Sequence, residues 1–243
     1  MRGRELTSHQ LDVWLVDSGR LREPARLAAY LTLLSIDEGE RFERIVHDET
    51  RHEFLVARAL VRRTLSLYCE NMAPADWRFE NNAFGRPEIA AGQIELDLRF
   101  NLSHAHGLVA CAVALGRTVG IDVEWNQREP SMLSSIQHFF SPTEVRDLLA
   151  LPEPARPARF FQVWTLKEAY IKAHGKGLSM PLADFSFRFD GPDGHARLEP
   201  APGDSADRWR VWTWNPSDEH NLALLAEFAP DEPVELRVEN ITP

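Results

Sequence analysis

Two acidic side chains share one face of a predicted strand near the middle of the chain. In residues 120–124 (GIDVE), Asp122 and Glu124 alternate with the apolar Ile121 and Val123, and alternate residues of a strand point to the same face. Adjacent carboxylates repel each other unless a cation lies between them or one keeps a proton. Oxygen ligands at this spacing suit Mg²⁺, which commonly joins a few carboxylates to substrate phosphates. The solvent-facing side of an ordinary strand has the same pattern, so this motif alone leaves both interpretations open.

A second pair of charges lies on a helix predicted for residues 158–173. Glu168 and Lys172 are four residues apart and share one helix face, with Trp164 one turn earlier. A surface ion pair worth about 0.2–0.5 kcal/mol is the simple explanation. The helix is apolar on most of its other sides, however, and a helix buried so widely is expected to turn its charges toward a site rather than toward open solvent.

Lysine usage singles out the same helix. Of the 27 basic residues 24 are arginines, and the only lysines are Lys167, Lys172 and Lys176. Lysine is a compact point charge, whereas arginine is a planar fork with several donors. The three lysines therefore single out this segment as a candidate site, although chance would also explain their clustering.

Three further segments offer groups that could receive a phosphate. His104 and the backbone donors around Ser103 end a predicted strand (FNLSH), and Arg86 stands in a turn (NAFGRP). Arg41 belongs to an arginine-rich predicted helix whose cations are interleaved with acids. Each has an ordinary structural explanation when taken separately: a histidine at a strand end, a surface turn and a solvated helix face.

The composition bounds the class of protein. The chain has 243 residues, 44% of them hydrophobic, and a formal net charge of −10. No apolar run approaches the ~20 residues that span a bilayer, and the polar N-terminal segment lacks a signal-peptide pattern, so we expect a cytoplasmic protein without membrane contact. The acidic charge argues against a nucleic-acid binder, which usually carries a basic surface. Cys69 and Cys111 have no metal-ligand spacing.

Hydrophobic periodicity predicts helices and strands along the chain. Helices are expected at 24–34, at 37–70, at 131–150 with an interruption near Ser141-Pro142, and at 158–173. Strands are expected at 11–17, 77–80, 94–102, 108–115, 119–125, 185–189, 209–214 and 221–228. Short loops join the three central strands, which predicts an antiparallel meander. We therefore expect an α+β fold with two similar halves, 1–116 and 117–243, each with a small antiparallel sheet and a packed long helix. A cleft between such halves is a usual place for a ligand.

In combination and in this order, the motifs resemble those of the 4′-phosphopantetheinyl transferase superfamily, specifically its single-chain, Sfp-type members. The matching segments are NAFGRP at 82–87, FNLSH at 100–104, GIDVE at 120–124, FFSPTE at 139–144 and WTLKEAYIKAHGKGL at 164–178, preceded by a looser helical match over 41–63. The resemblance implies two halves related by pseudo-twofold symmetry, with coenzyme A bound between them. It also implies a monomer.

The resemblance implies a reaction and the residues that perform it. The 4′-phosphopantetheine group of coenzyme A passes to a serine of an acyl, peptidyl or polyketide carrier protein, and adenosine 3′,5′-bisphosphate leaves. Asp122, Glu124 and Glu168 hold one Mg²⁺, or Mn²⁺, at the coenzyme A pyrophosphate. Glu168 is the general base for the serine hydroxyl, directly or through water. Lys172 neutralises charge that builds on the pyrophosphate.

The resemblance also assigns contacts to coenzyme A in the first half. Arg41 and His104 match positions near the 3′-phosphate, and Ser103 lends its backbone N–H. Arg86 stands where the family usually has the lysine of a GKP motif, and this change alters the geometry of a phosphate contact. Position 38, basic in some members, is Glu38 here.

The carrier protein needs a docking surface on this chain. We expect exposed apolar residues around Met132, Leu133, Phe139 and Phe140 to form part of that surface.

A metal-dependent hydrolase of the coenzyme A pyrophosphate would use the same carboxylates with water as nucleophile. A non-catalytic coenzyme A- or carrier-binding module would keep the fold without the transfer.

Overall fold

The helices and strands follow the hydrophobic periodicity over most of the chain. The computed structural model describes residues 3–127, 133–190 and 194–242. Its α-helices are α1 (Pro24–Leu31), α2 (Ile36–Arg44), α3 (Asp48–Tyr68), α4 (Pro142–Leu149) and α5 (Arg156–His174). Its strands are β1 (Gln10–Asp17), β2 (Phe79–Asn81), β3 (Pro87–Ile89), β4 (Leu98–Ala105), β5 (Leu108–Leu115), β6 (Val119–Trp125), β7 (Ser186–Phe189), β8 (Ala196–Glu199), β9 (Trp209–Ser217), β10 (His220–Glu227) and β11 (Glu235–Asn240).

The contacts between residues divide the chain into two compact units. The first unit comprises Met1–Asn82, Pro87–Arg117 and Pro233–Pro243, and the second comprises Ala83–Arg86 and Thr118–Glu232. Both units are discontinuous, unlike the contiguous halves expected from the sequence. The last strand, β11, pairs in parallel with β1 and so belongs to the first unit.

The first unit packs α3 on a four-stranded sheet with the order β11-β1-β5-β4. Because β1 and β11 run in parallel, this sheet is mixed rather than antiparallel as predicted. The expected continuous helix over 37–70 is also wrong: the chain is extended at Ile45 and His47, between α2 and α3. Glu38 fastens α2 to α3, with a carboxylate oxygen 2.5 Å from Arg62.

The second unit packs α5 on the antiparallel sheet β6-β10-β9. A hairpin of β7 and β8 lies beside it. The predicted meander is wrong, since β6 pairs with β10 while the second edge of β5 is taken by β1. The capping box that starts α4 at Ser141 is confirmed, and Gly175, with φ 66°, ends α5.

Strand order repeats between the two units. In each, a first strand (β1 or β6) pairs antiparallel with the second strand of a later hairpin (β4–β5 or β9–β10). A long helix, α3 or α5, lies between them in the sequence. In the part of the chain that the structure describes, no helix is long and apolar enough to cross a membrane.

Candidate functional site

The acidic pair of β6 faces helix α5. Gly120 lies on the same face, and a Cβ there would come within 2.1 Å of the carbonyl oxygen of Ala169, so only glycine permits the close approach of the two backbones. This approach brings α5 side chains to the carboxylates. Lys172 Nζ lies 2.6 Å from Oδ1 of Asp122, and Trp164 Nε1 donates to Oε1 of Glu124 at 2.9 Å.

Glu168 belongs electrostatically to the same cluster. Its partial burial, together with the negative charges of Asp122 and Glu124, raises the pKa of the Glu168 carboxyl to about 7, although Lys172 opposes the shift. A group with a pKa near neutrality can accept and release a proton under ordinary conditions. The structure therefore brings together the four residues Asp122, Glu124, Glu168 and Lys172.

The chemistry of these donors suits a hard divalent cation, but the side chains are not arranged as a finished metal cage. Within the described ranges, no group of three or more His, Cys, Asp or Glu side chains is positioned to hold a metal ion. Lys172 contacts the buried Asp122 instead. Among the described residues, one ammonium lies beside three carboxylates, a set of oxygen donors that suits a divalent cation.

Arg86 lies at the end of α5 and donates to backbone oxygens. One terminal nitrogen reaches the carbonyls of Lys172 at 2.8 Å and Ala173 at 2.9 Å. The other reaches the carbonyl of Val119, the first residue of β6, at 3.1 Å. The resemblance of the sequence implied that Arg86 contacts coenzyme A. The sequence pattern did not reveal its contacts with these backbone carbonyls.

In the first unit, Arg41 and His104 both contact the same turn of α3. The Arg41 guanidinium lies over the ring of Phe54, 5.4 Å from its centroid. The exposed His104 has Nδ1 3.4 Å from Oε2 of Glu53. Burial opposes ionisation of Glu53, but hydrogen bonds from His104 and from the Gly107 N–H leave its pKa below the usual value.

Ser103 is buried on β4, the edge strand that also carries His104. It lies opposite Ala110 of β5, and the residue is 5% exposed. The sequence analysis missed Glu53, the partner of His104. The available sequence signal was that Glu53 is one of the acidic residues interleaved with the arginines of this helix.

The similarity of this chain to known proteins extends over most of its length. The model of the 4′-phosphopantetheinyl transferase superfamily matches residues 118–225. A 4′-phosphopantetheinyl transferase of Bacillus subtilis is 34% identical over 196 residues, which cover 81% of this chain and 83% of the relative. The Sfp transferase of Bacillus subtilis strain 168 is 33% identical over 207 residues, covering 85% and 88%. HetI of Nostoc sp. PCC 7120 is 33% identical over 198 residues, covering 81% of each. The chain belongs to the 4′-phosphopantetheinyl transferase superfamily.

In this transferase, a buried ion pair that the sequence analysis overlooked supports α5. Lys167 Nζ lies 2.6 Å from Oε2 of Glu144, and both side chains are fully buried. Glu144 also accepts the N–H of Phe187, and Lys167 donates to the carbonyl of Phe185. Burial raises the pKa of Glu144 and lowers that of Lys167. A lysine on an apolar helix face and a glutamate in a capping box were both visible, but their pairing was not.

The expected carrier-docking residues are only partly exposed in this transferase. Phe140 is buried and stacks on Phe160 with ring centroids 5.2 Å apart, so its predicted exposure is wrong. Phe139 is half-buried and packs edge-on against Trp164. Met132 and the side chain of Leu133 lie outside the described residues.

Proposed function

We propose that this chain transfers the 4′-phosphopantetheine group of coenzyme A to a serine of an acyl, peptidyl or polyketide carrier protein. The observation that carries the proposal is the cluster of Asp122, Glu124, Glu168 and Lys172 on two adjoining elements of a member of this superfamily. The cluster combines a carboxyl whose pKa is raised to about 7 with a compact ammonium and two further carboxylates. These are the groups that phosphoryl-type transfer from a diphosphate requires.

These side chains and the two substrates account for every bond and proton in the reaction. The serine Oγ attacks the phosphorus that bears pantetheine, and the bond from that phosphorus to the bridging oxygen breaks. The bridging oxygen leaves with adenosine 3′,5′-bisphosphate. Glu168 takes the serine proton, directly or through one water. Lys172, whose ammonium contacts Asp122, would stabilise the negative charge that develops on the departing diphosphate oxygens.

Asp122, Glu124 and Glu168 would hold the divalent cation, Mg²⁺ or Mn²⁺. The donor set supports this: all are carboxylates, and burial, together with the charges of Asp122 and Glu124, raises the pKa of Glu168. When bound, the cation supplies neutralisation of the diphosphate charge. Trp164 would fix the orientation of Glu124 through its 2.9 Å hydrogen bond.

For the first unit we propose phosphate contacts at Arg41 and His104. Both side chains contact one turn of α3, and a guanidinium and an imidazole N–H are suitable donors to the 3′-phosphate of coenzyme A. The backbone N–H of Ser103 is the third proposed contact. We further propose that the protein acts as a cytoplasmic monomer. The repeated strand order supports a pseudo-twofold relationship between the two units.

Intact-protein mass spectrometry of an apo carrier protein tests the proposal. The carrier is incubated with the enzyme and coenzyme A, with Mg²⁺ in one sample and EDTA in the other. We expect the carrier to gain the mass of one phosphopantetheinyl group only with Mg²⁺. Consumption of coenzyme A without carrier modification would instead indicate a hydrolase, and binding of coenzyme A with neither outcome would indicate a binding module.

A further inference from the structure

The turn that carries Arg86 belongs to the catalytic unit. Residues Ala83–Arg86 group with the second unit, although the residues on both sides belong to the first. Gly85 has φ 88°, a left-handed conformation that glycine adopts readily. The carbonyl oxygen of Phe84 lies near Gly177, beyond the end of α5: a Cβ at Gly177 would be 3.6 Å from it. The turn is therefore packed against the C-terminal end of α5.

Arg86 joins two elements at this point. It donates to the carbonyls of Lys172 and Ala173 in the last turn of α5, and to the carbonyl of Val119 at the start of β6. The last carbonyls of a helix lack partners within the helix and carry partial negative charge. A guanidinium satisfies them favourably, and its planar fork can reach acceptors on two elements at once.

The contact lies where α5 and β6 approach most closely. Val119 precedes Gly120, whose missing Cβ permits the backbone contact with Ala169. Two residues further along β6 is Asp122, which contacts Lys172 at 2.6 Å. Arg86 thus holds the main chain of Lys172 while the side chain of Lys172 meets Asp122.

We propose that Arg86 is a positioning residue, which fixes the end of α5 against β6 and thereby sets the placement of Lys172 relative to the carboxylates. The inference rests on the proposed transfer reaction. A lysine at this position, as in the usual family motif, has one ammonium and cannot form the same fork between two elements. In this chain the position therefore serves the backbone of the catalytic unit rather than a coenzyme A phosphate.

Steady-state kinetics of Arg86→Lys and Arg86→Met test the proposal with two substrates, coenzyme A and 3′-dephospho-coenzyme A. A small displacement of a catalytic group can cost about 10²-fold in rate, so we expect kcat to fall about 10–100-fold in both variants while KM for coenzyme A changes less than about threefold. The fold-loss is expected to be the same for both substrates. Arg197→Lys, on an exposed ion pair of β8, is the matched control and should retain kcat.

The opposite pattern would overturn the proposal. If Arg86 contacts the 3′-phosphate, KM for coenzyme A rises and the effect of substitution disappears with 3′-dephospho-coenzyme A. A raised KM for both substrates with kcat unchanged would indicate another ligand contact, and Arg86→Lys turning over like the wild type would equally exclude positioning.

Amide hydrogen exchange gives a readout that does not depend on the reaction. In Arg86→Lys the amides of the last turn of α5, up to Gly175, should exchange faster than in the wild type, while those of α3 should not change. If the wild type fails to modify a carrier but this change appears, the positioning inference stands and the proposed function falls. If exchange at α5 is unaffected, the positioning inference is contradicted.

Discussion

Asp12 in the first unit and Asp122 in the second lie on corresponding strands, β1 and β6, of two sheets that share an order of three strands. Each follows a branched aliphatic residue and precedes a valine (LDV and IDV). Each lies on the strand that pairs with the second strand of a hairpin. Both are buried, at 1% and 4% exposure. A similar local sequence therefore builds a buried aspartate twice.

The surroundings of the two aspartates differ in charge. Asp12 meets two guanidiniums, with Arg4 Nε at 2.6 Å and Arg237 Nε at 2.5 Å, and it accepts a hydrogen bond from Tyr68. Among the described residues, Asp122 meets the ammonium of Lys172, and the carboxylates of Glu124 and Glu168 lie close enough to interact. Neutralised by its own unit, Asp12 is a structural group, whereas the carboxylates around Asp122 form the site that we propose for a divalent cation.

The largest expected effect is on the chemistry of the second unit. Glu168→Gln keeps the shape of the side chain but removes the proton acceptor, and loss of a general base costs about 10²–10⁴-fold. Single-turnover mass spectrometry of an apo carrier should show a drop of about 10³-fold. Retention of more than a tenth of the wild-type rate would remove Glu168 from the role of base.

The matching substitution in the first unit should affect folding rather than catalysis. Asp12→Asn removes the negative charge that Arg4 and Arg237 share, although Arg4 keeps Glu239 as a partner, and breaking a buried ion pair costs about 3 kcal/mol or more. Urea unfolding should show this loss, while the transfer rate per folded molecule stays unchanged. A stable variant with impaired transfer would contradict the structural role of Asp12.

The raised pKa of Glu168 makes the metal-free protein sensitive to pH. The folded state holds this proton up to about pH 7, whereas the ordinary pKa of a glutamate is 4.5. With respect to this group, the stability of the fold is therefore highest below about pH 4.5 and is lost as the pH rises through 7. Glu168→Gln mimics the protonated form. In EDTA at pH 8 it should unfold with a free energy up to about 3 kcal/mol higher than the wild type, with a smaller difference at pH 5. Equal urea midpoints for Glu168→Gln and the wild type at pH 8 would show that the ionised carboxylates do not destabilise the folded state.

Replacement of Lys172 near the end of α5 should lower the transfer rate less than replacement of the base Glu168, but by a measurable amount. Lys172→Arg keeps the charge but replaces a compact donor with a longer fork, so most activity should be lost, about 10–30-fold in kcat. Lys176→Arg, on the exposed residue after Gly175, is the control. Equal rates for Lys172→Arg and the wild type would mean that the clustering of lysines has no catalytic meaning.

Local features of the site could be predicted from the sequence. The alternation at Asp122 and Glu124, the four-residue spacing of Glu168 and Lys172, and the capping box at Ser141 depend on neighbours in the chain and appear as expected. The helical pattern over 37–70 failed where β-branched Ile45 and Val46 interrupt it.

Long-range choices could not be predicted. The pairing of β6 with β10 joins residues about a hundred positions apart, and β11 returns to β1 across almost the whole chain. The periodicity of a strand fixes its faces but not its partners. For the same reason the direction of Arg86 and the Lys167–Glu144 pair became visible only in three dimensions.

Calorimetric titration of the metal-free protein with Mg²⁺, in the presence of coenzyme A, tests the contrast between the two aspartates most directly. The proteins compared are the wild type, Asp12→Asn and Asp122→Asn, each shown to be folded by circular dichroism. We predict one Mg²⁺ bound per chain in the wild type and in Asp12→Asn, and none in Asp122→Asn. Undiminished Mg²⁺ binding by Asp122→Asn, or its loss in a folded Asp12→Asn, would contradict the assignment of the metal site to the second unit.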